Sequence, residues 1–313
     1  MKCFIRMQTR PQAFWADSIR ARILIRFVAP AILFLFSPCL LAEEVSSLRV
    51  VTFNLDCRNP HPEQIVDALK SATADVLILQ ETTFETERFL AVQLSDSYPY
   101  FYATGHLGHF AEEGLAFASK TPLRDVTFSP PDKGFFGFFS ATCRMGETNV
   151  RLINVHLTPF LIRPGAGIMG IFAEIQGTES SHAVEMEAIA RSFDVEQPVI
   201  VAGDFNSFST LTAPSRLVKL GLVDSFAAAH ANPDSKPTWR GTVDSIDLQL
   251  RLDYIFHTRR FKTVKSEIIE QGGSDHFPVV SELSLEEKDA AANGIPPLNV
   301  ATNATSQAAG TSR

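Results

Sequence analysis

The sequence contains few cysteines and few large aromatic residues other than phenylalanine. Its 313 residues include 4 Cys, 2 Trp and 4 Tyr, against 25 Phe. Cys3 and Cys39 lie near the amino terminus, which leaves Cys57 and Cys143 for the rest of the chain. A small domain held together by several disulfides is therefore excluded. One Cys57–Cys143 disulfide and two reduced thiols are both compatible with the sequence, and neither cysteine has the spacing of a zinc motif.

A long apolar run is also absent. The apolar stretch at residues 27–41 has 15 residues, and Pro30 and Pro38 interrupt it, whereas a membrane-spanning helix needs about 20 residues. An arginine-rich segment precedes this stretch and Ala42 follows it, which is the order of a secretory signal. We therefore predict that residues 1–42 are a signal peptide and that the protein is exported, either to a periplasm or out of the cell.

Two other interpretations of this segment stay open. The first is an uncleaved membrane anchor at residues 27–42, because Leu40 is larger than the residue usually found three positions before a cleavage site. The second is a lipoprotein attached at Cys39. Pro38 disfavours it, because a small and flexible residue is expected at that position.

The sequence has no excess of positive charge. Its formal net charge is −7. Residues 1–42 carry six basic residues and one acidic residue, so the remainder holds 22 basic and 34 acidic residues, a net charge of −12. Such a protein repels nucleic acid at long range, because lysine and arginine supply most non-specific affinity for phosphate. This disfavours a protein that coats nucleic acid, but not a nuclease whose bound metal ions attract phosphate locally.

From residue 48 onwards, short apolar β-rich segments alternate with amphipathic ones, which indicates an α/β fold. The predicted strands are 48–54, 76–80, 114–118, 149–156, 199–203, 252–257 and 279–285, and the predicted helices are 62–72, 85–94, 181–193 and 214–220. Residues 288–313 have almost no bulky side chains and are predicted to be disordered, because they bury too little apolar area to offset the entropy of ordering. We predict one folded domain at residues 46–287.

Polar side chains fall at the ends of the predicted strands. They are Asn54, Glu81, His156, Asp204, Asn206, Asp253, Asp275 and His276. Carboxylate and amide oxygens are the ligands that Mg²⁺ and Mn²⁺ prefer, and a histidine beside a carboxylate can act as a base towards water. Such a set suits the hydrolysis of a phosphoester. Each residue taken alone also fits a simpler interpretation, as a turn former or a structural histidine.

Six short strings contain these residues, namely TFNLD, ILQE, NVHL, GDFNS, RLDYIF and SDHFPV, in this order between residues 50 and 280. Together they resemble the successive motifs of the endonuclease/exonuclease/phosphatase family, which includes pancreatic-type deoxyribonucleases, apurinic endonucleases, inositol polyphosphate phosphatases and bacterial sphingomyelinases. The resemblance implies a four-layer α-β-β-α sandwich, in which two packed, mostly antiparallel sheets carry outer helices. It also implies a divalent metal ion, with Mg²⁺ expected and Mn²⁺ or Ca²⁺ as alternatives.

The same resemblance implies a role for each residue that carries it. Glu81 and Asp275 would bind the metal ion, and Asn54 would lie close to the metal or to the phosphate. Asp204 and Asn206 would orient the attacking water and hold a phosphate oxygen.

Histidines are implied in the reaction as well. His276 would be the base or would stabilise the transition state, oriented by Asp253. His156 would donate a hydrogen bond to the phosphate, with Glu113 as a candidate partner. The other histidines are expected to be solvated or in loops, namely His106, His109, His182, His230 and His257.

Two apolar segments bear on the substrate. Residues 134–139 contain four Phe, and residues 158–175 form an apolar, glycine-rich segment directly after His156. Buried core is their ordinary interpretation, and an apolar rim that contacts lipid is the alternative. Combined with the acidic charge and the predicted export, the rim favours a phosphodiesterase that acts on phospholipid head groups or small phosphodiesters and contacts membranes through these loops. We also expect the protein to be a monomer.

Two other functions remain compatible with the sequence. A secreted nuclease acting on DNA would need basic groups for the nucleic-acid backbone. The candidates form no dense cluster in the sequence, and they are Lys120, Arg124, Lys133, Arg144, Arg151 and Arg163. A non-catalytic binding module of the same fold is the second alternative, although such a module would be expected to lack a metal ligand or the base.

Overall fold

The structure is a computed structural model, and it describes residues 47–105, 113–132, 134–160, 165, 167–243 and 245–286. The predictions for residues 1–42 and 288–313 lie outside these ranges, as do those for His106, His109, Lys133 and Arg163. Within these ranges, no helix combines the length and the apolar character that crossing a bilayer requires.

The chain alternates strands and helices. In order they are β1 (Ser47–Asn54), α1 (Pro62–Ser71), β2 (Val76–Thr82), α2 (Phe84–Gln93), β3 (Tyr100–Ala103), β4 (Gly114–Ser119), β5 (Arg124–Ser129), β6 (Phe138–Met145), β7 (Thr148–His156), α3 (Gly167–Ala190), β8 (Val199–Asp204), α4 (Thr212–Lys219), β9 (Val223–Asp224), α5 (Ser225–Ala229), a 3₁₀ helix (Pro233–Ser235), β10 (Trp239–Val243), β11 (Ile246–Leu250), β12 (Asp253–His257), β13 (Phe261–Ile268) and β14 (Val279–Leu285).

The strands form two six-stranded sheets and a two-stranded hairpin of β10 and β11. The order is β13-β14-β1-β2-β4-β3 in the first sheet and β5-β6-β7-β8-β12-β9 in the second. Each sheet has one parallel pair at its centre, β1 with β2 and β7 with β8, and its other pairs are antiparallel. Each sheet therefore brings the carboxyl ends of two strands to one edge, the position where α/β sheets place their ligands.

Three apolar clusters separate four layers. The first cluster lies between the sheets and joins Val50 and Ile78 to Leu152 and Ile255. The second packs α1 and α2 against the first sheet, and the third packs α3 and α4 against the second sheet. The predicted α/β class, with a four-layer α-β-β-α sandwich of two mostly antiparallel sheets, is thereby confirmed.

The outer helices follow from simple sequence rules. Pro62 occupies the first turn of α1, where its missing N–H is no loss, and the apolar residues Ile65 and Leu69 fall on one buried face. Thr83 caps α2, because its hydroxyl accepts a hydrogen bond from the Thr86 N–H while the Thr86 hydroxyl accepts one from the Thr83 N–H. Each helix therefore follows the loop after a strand, α1 after β1 and α2 after β2, and these loops lie at the sheet edge where the strands end.

A buried polar bridge joins the two sheets. Gln80 on β2 donates to Oδ1 of Asn154 on β7 at 2.7 Å. Asn154 in turn donates to the carbonyl oxygens of Leu79 and Ala116 at 2.8 and 3.1 Å. An unpaired amide in the core would cost about 1–3 kcal/mol. These bonds therefore favour one relative position of the sheets over others.

The structure also departs from the predicted elements. The strands β3, β5, β6, β9, β10, β11 and β13 were not predicted, because several are short or lie at sheet edges and alternate polar with apolar residues. The helix predicted at 181–193 begins earlier, at Gly167. Glycines at 167, 170 and 177 concealed its first half, because glycine is unfavourable in helices.

Two histidines are buried, contrary to the prediction that they are solvated or in loops. His182 Nε2 lies 2.8 Å from the Thr158 carbonyl oxygen. His257 contacts the Thr258 carbonyl oxygen and the Thr263 hydroxyl at 3.0 and 2.8 Å. Both ring nitrogens of His257 thus have a partner, which offsets the cost of burying it. Nδ1 of His182 lies 3.5 Å from Glu179 Oε1 and has no hydrogen-bond partner. His230 is exposed, as predicted.

Candidate active site

The sheet edge that holds the strand ends opens into a cavity of about 580 Å³. Its polar lining residues are Asp56, Cys57, Arg58, Glu81, Glu113, His156, Asp204, Asn206, Asp275 and His276. Its apolar wall is formed by Phe136, Pro159, Phe160, Trp239 and Leu252. Arg58 is the only lysine or arginine among the described residues that line the cavity. The charge of the cavity is therefore predominantly negative.

Strand register explains why residues distant in sequence meet here. Asn54 ends β1, and β2 runs parallel to it, with Asn54 opposite Gln80 and Glu81 next along the chain. In the second sheet, His156 pairs with Asp204 at the ends of the parallel strands β7 and β8. Asp253 begins β12, which is antiparallel to β8, and it lies opposite Asp204. The sheet edges thus bring these five side chains together.

Gly203, the residue before Asp204, permits this close pairing. It adopts φ +151°, and a Cβ at this position would lie 1.8 Å from the Val155 carbonyl oxygen. Only glycine therefore lets β8 pass β7 with Asp204 directed into the cavity.

Asn54 connects the two sheets at the base of the cavity. Its Nδ2 donates to Glu81 Oε1 at 2.8 Å and to Asp204 Oδ2 at 3.0 Å. Its Oδ1 accepts a hydrogen bond from the Asp56 N–H at 3.0 Å. The sequence predicted Asn54 as a metal ligand, close to the metal or to the phosphate, and this stays a prediction. In the structure its amide nitrogen faces both carboxylates and its oxygen faces its own loop. Asn54 therefore holds two carboxylates in place.

Two of these residues have strained backbones. Glu81 has φ 54° and Asn206 has φ 44°, in the left-handed region that glycine prefers. Strain of this kind costs about 1–3 kcal/mol and persists only where surrounding contacts impose it. The contacts are visible for both residues, since Glu81 Oε2 accepts the Cys57 N–H at 3.1 Å and Asn206 donates to the Leu157 carbonyl oxygen at 3.0 Å.

His276 lies between two carboxylates. Its Nδ1 is 2.9 Å from Asp253 Oδ2, and its Nε2 is 3.7 Å from Asp204 Oδ2. Burial alone would lower the pKa of His276, but the charges of Asp253 and Asp204 outweigh it and raise the pKa to about 10. The arrangement therefore holds the imidazole as a cation that points one N–H at Asp204.

Asp204 is buried, at 1% exposure, where it lines the cavity. Its Oδ1 accepts the Asn206 N–H at 2.8 Å. Burial raises the pKa of Asp204 to about 7, with His276 opposing this shift and Asp253 adding to it. Asp204 can thus accept a proton close to neutral pH, in the range that general bases need.

His156 forms the other side of the base of the cavity. It is 3% exposed, and its ring stacks on Phe136 with centroids 4.1 Å apart. Its Nε2 is 3.7 Å from both Glu81 Oε1 and Asp204 Oδ2. Burial lowers the pKa of His156 to about 4, so its ring is neutral near pH 7. Glu113, predicted as its partner, clusters with His156 and Glu81.

The acidic residues fit a divalent cation. Asp56, Glu81 and Asp275 all line the cavity, and Asp275 is held by a hydrogen bond from Trp239 Nε1 at 2.8 Å. Burial raises the pKa of Asp56, and the charges of Asp275 and Glu81 raise it further. A cation bound among these oxygens would relieve the repulsion, and all-oxygen donors suit Mg²⁺. Glu81 and Asp56 offer ligand atoms within 4.8 Å of each other, and Asp275 lines the same cavity. Metal binding by Glu81 and Asp275 stays a prediction.

Sequence reasoning missed several residues of the cavity. Asp56 was part of the string TFNLD and has the residue type of a ligand, so the sequence already contained its signal. Phe136 lies in the phenylalanine-rich segment 134–139, for which an apolar rim was the alternative interpretation. Trp239 carried no signal, because a single aromatic residue is ordinarily structural. Cys57 carried none either. Burial raises its thiol pKa, and the thiol donates to Glu113 Oε1 at 3.4 Å. Both Cys57 and Cys143 are free thiols.

All eight predicted residues come together at this edge. Six of them line the cavity directly, and Asn54 and Asp253 support it from behind through hydrogen bonds to Glu81, Asp204 and His276. The grouping holds a neutral histidine, a charged histidine, a carboxylate able to accept a proton and an acidic pocket for a cation. These are the parts required for metal-dependent hydrolysis at phosphorus.

Comparison with known proteins agrees with this geometry. Residues 51–276 match the Endonuclease/Exonuclease/phosphatase family. The fold is similar to an endonuclease/exonuclease/phosphatase from Beutenbergia cavernae, with 19% identity, coverage of 77% of this chain and 72% of that one, and a TM-score of 0.57. The endonuclease/exonuclease/phosphatase from Bacteroides vulgatus has 18% identity, coverage of 77% of this chain and 99% of that one, and a TM-score of 0.58. TDP2 from C. elegans has 16% identity, coverage of 76% of this chain and 75% of that one, and a TM-score of 0.55. No curated protein matches the chain.

At these identities the solved structures demonstrate a shared fold and nothing finer. The family match, in contrast, spans most of the chain and includes every predicted site residue from Asn54 to His276. The chain belongs to the endonuclease/exonuclease/phosphatase family, whose members are in general metal-dependent phosphoesterases and nucleases.

Proposed function

We propose that the protein is a metal-dependent phosphodiesterase that hydrolyses small phosphodiesters, including phospholipid head groups, by direct attack of water on phosphorus. The observation that carries the proposal is the arrangement beside the acidic pocket in which His276 is hydrogen-bonded to Asp253 at 2.9 Å and lies 3.7 Å from Asp204. No nucleophilic serine or cysteine is needed by this arrangement, because a carboxylate directed into the cavity can activate water directly.

Glu81, Asp275 and Asp56 would hold the divalent ion, with Mg²⁺ expected and Mn²⁺ or Ca²⁺ as alternatives. When bound, the ion would neutralise charge on the phosphate oxygens and on the leaving group. Asn54 contributes indirectly. Its amide fixes the Glu81 carboxylate, so that the ligand is in place before the ion arrives.

Asp204 is the residue that we assign to the attacking water. One of its oxygens accepts the Asn206 N–H, and the other faces Asn54, His156 and His276. Water bound to this carboxylate would lose its proton to Asp204 as its oxygen bonds to phosphorus. Asn206 would hold a phosphate oxygen beside it.

The two histidines would then act on the phosphate in different ways. His276, positioned by Asp253 as a cation, would stabilise the negative charge that develops in the transition state. Of the two roles implied for it by the sequence, the ion pair with Asp204 and Asp253 favours the stabiliser over the base. His156 is neutral and would donate one hydrogen bond, and its stacking on Phe136 fixes the ring plane.

The substrate class follows from the character of the cavity. A nucleic-acid backbone requires several basic contacts, but of the described residues lining the cavity only Arg58 is a lysine or arginine. Lys120 and Arg144, two basic candidates from the sequence, pair instead with Asp75 and Glu147. The apolar wall suits the alkyl or acyl part of a small diester or a lipid.

The apolar segments of the sequence divide between core and wall. Phe138 and Phe139 are buried in the core, whereas Phe136, Pro159 and Phe160 line the cavity. Met169 and Phe172 on α3 are exposed, at 76% and 56%. These exposed side chains support the proposed contact with a membrane surface. Export through residues 1–42 and a monomeric state are part of the same proposal.

A substrate panel tests the proposal. Purified protein with Mg²⁺ would be assayed on bis(p-nitrophenyl) phosphate, sphingomyelin, phosphatidylinositol and plasmid DNA, each with and without chelator, and with Asp204→Asn as the inactive control. Chelator-sensitive hydrolysis of the small diester or a lipid supports it. Cleavage of DNA alone would instead identify a nuclease, and no hydrolysis of any substrate would favour a binding module.

A further inference from the structure

Glu185 on α3 is a buried carboxylate that does not line the cavity but is bonded to the segment that leaves β7. It is 6% exposed. Its Oε1 accepts hydrogen bonds from the Thr158 N–H at 3.2 Å and from the Thr158 hydroxyl at 2.7 Å. Thr158 lies two residues after His156 and directly before Pro159, and both of these neighbours line the cavity. Glu185 therefore anchors the chain that carries His156 and part of the apolar wall.

The same carboxylate also holds the loop that carries Phe136. The Phe135 N–H donates a hydrogen bond to Glu185. Gly134 lies so close that a Cβ at this position would collide with Glu185 Oε1, and its φ of +89° also favours glycine. Phe136 stacks on the His156 ring, with centroids 4.1 Å apart and an angle of 8° between the planes. Glu185 thus fixes the aromatic neighbour that sets the plane of the His156 ring.

The two cavity histidines are oriented in different ways. His276 is held directly, because Asp253 Oδ2 lies 2.9 Å from its Nδ1. His156 has no such partner among the described residues, since its Nδ1 is unpaired and its Nε2 lies 3.7 Å from the nearest carboxylates, which is beyond hydrogen-bond range. The orientation of the His156 ring therefore depends on its backbone and on the stacked Phe136, and Glu185 holds the segments that carry both.

We propose that Glu185 is a positioning residue, which directs His156 at the phosphate through its bonds to Thr158 and to the loop of Phe136. The proposal rests on the proposed hydrolysis, in which His156 donates a hydrogen bond to the phosphate. A carboxylate suits this role because its two oxygens accept from several donors at once. An amide has only one acceptor oxygen and would turn its NH₂ group towards the donors of the two loops.

NMR spectroscopy of the His156 ring tests the proposal without substrate. Isotope labelling of the histidine rings gives signals for the 8 histidines of the full-length protein, and His156→Asn identifies the signal of interest by its loss. Stacking on Phe136 shifts this signal upfield, and Phe136→Leu shows its position without the stacked ring. Glu185→Gln should move the His156 signal towards that position. Glu187→Gln makes the same change on the exposed side of α3 and should leave the signal in place.

Kinetics with bis(p-nitrophenyl) phosphate and Mg²⁺ distinguish positioning from a purely structural role. Glu185→Gln should lower kcat by about 10- to 100-fold, the loss expected for a misplaced group, and should leave KM almost unchanged. In a His156→Asn background, the same substitution should cause less than about a twofold further loss, because the effects of residues that act through one another are not additive. A purely structural role would lower kcat by the same factor in both backgrounds.

Thr158→Val is the milder variant, for use if Glu185→Gln does not fold. It keeps the size of the side chain but removes the hydroxyl that donates to Glu185, so it should move the His156 signal in the same direction by a smaller amount. An unmoved His156 signal in the folded variant would overturn the proposal, as would equal losses of kcat with and without His156. If the wild type hydrolyses no substrate, the proposed function fails, and the NMR signal still decides whether Glu185 orients His156.

Discussion

The cavity has two parts that are built differently. Its polar floor consists of Asn54, Glu81, His156, Asp204, Asp253, Asp275 and His276, and its apolar wall consists of Phe136, Pro159, Phe160, Trp239 and Leu252. Most floor residues end or begin central strands, and nearly every one is held by another side chain of the floor. Most wall residues lie in loops or at the start of the β10–β11 hairpin.

This difference suggests that the floor carries out the reaction and that the wall determines which substrates bind. Removing one floor residue leaves a buried charge or amide without its partner, which disturbs the whole hydrogen-bonded set. Removing one wall residue opens space next to the substrate but leaves the floor bonds intact. We therefore expect changes in the floor to abolish turnover on every substrate, and changes in the wall to alter the preference among substrates.

Metal removal should have the largest effect, because the ion would act on the floor as a whole. With chelator, hydrolysis of bis(p-nitrophenyl) phosphate should fall to the rate of buffer alone, and Mg²⁺ should restore it. Glu81→Gln should need far more Mg²⁺ or remain inactive, since a neutral amide binds hard cations weakly. The matched control is Glu63→Gln on the exposed side of α1. Full activity in the presence of chelator would contradict a metal-dependent floor.

Substitution of single floor residues should have the second-largest effect. Asp204→Asn and His276→Asn should each lower kcat by about 100 to 10,000-fold, the usual contribution of a positioned acid or base. Neither substitution changes the backbone, so thermal unfolding should remain cooperative. Asp96→Asn, the same chemical change at an exposed position, is the control. If both floor variants turned over substrate like the wild type, the roles assigned to Asp204 and His276 would be wrong.

The contrast between floor and wall also explains what the sequence could predict. The floor was predictable because its residues sit at fixed places beside strong apolar strands, as His156 does after β7 and Asp204 at the end of β8. The family resemblance then supplied their order. The central strands were found for the same reason, since buried parallel strands appear in sequence as continuous apolar runs.

The wall and the sheet edges could not be predicted in this way. Phe136 stacks on His156 only because Gly134 and Gly137 turn its loop with φ of +89° and +66°, a contact between segments that no local pattern encodes. Edge strands such as β13 have a mixed polar sequence that resembles a loop. Asn54 shows another limit of prediction from sequence, because residue type alone does not show whether an amide presents its oxygen or its nitrogen to a neighbour.

A wall residue should affect substrates unequally. Phe160 is partly buried, and complete burial of a phenylalanine side chain stabilises a complex by about 1.5–3 kcal/mol. If a lipid completes that burial, Phe160→Ser should lower kcat/KM on sphingomyelin or phosphatidylinositol vesicles by about tenfold, at 1.4 kcal/mol per tenfold. Hydrolysis of bis(p-nitrophenyl) phosphate should change little. Val264→Ser removes an exposed apolar side chain from β13 and should affect neither. An equal fall in kcat/KM on the lipid and on bis(p-nitrophenyl) phosphate would show that Phe160 contributes to turnover itself, as the floor residues do.

The smallest effect should come from Trp239, a wall residue that donates a hydrogen bond to the floor. Trp239 donates from Nε1 to Asp275 Oδ2 at 2.8 Å, at a site open to solvent. Trp239→Phe keeps the ring but removes this donor, and water can replace it, so the loss should be about 0.5–1 kcal/mol. That corresponds to a roughly two- to fivefold higher Mg²⁺ concentration for half-maximal activity, with kcat almost unchanged at saturating Mg²⁺. Tyr102→Phe removes the two hydrogen bonds that this hydroxyl makes with the Leu123 backbone, as donor to its carbonyl oxygen and as acceptor from its N–H. Tyr102 does not line the cavity, so this variant should leave the Mg²⁺ requirement as it is. A large fall in kcat for Trp239→Phe that added Mg²⁺ does not restore would show that the wall takes part in the reaction. The distinction between the floor and the wall would then be wrong.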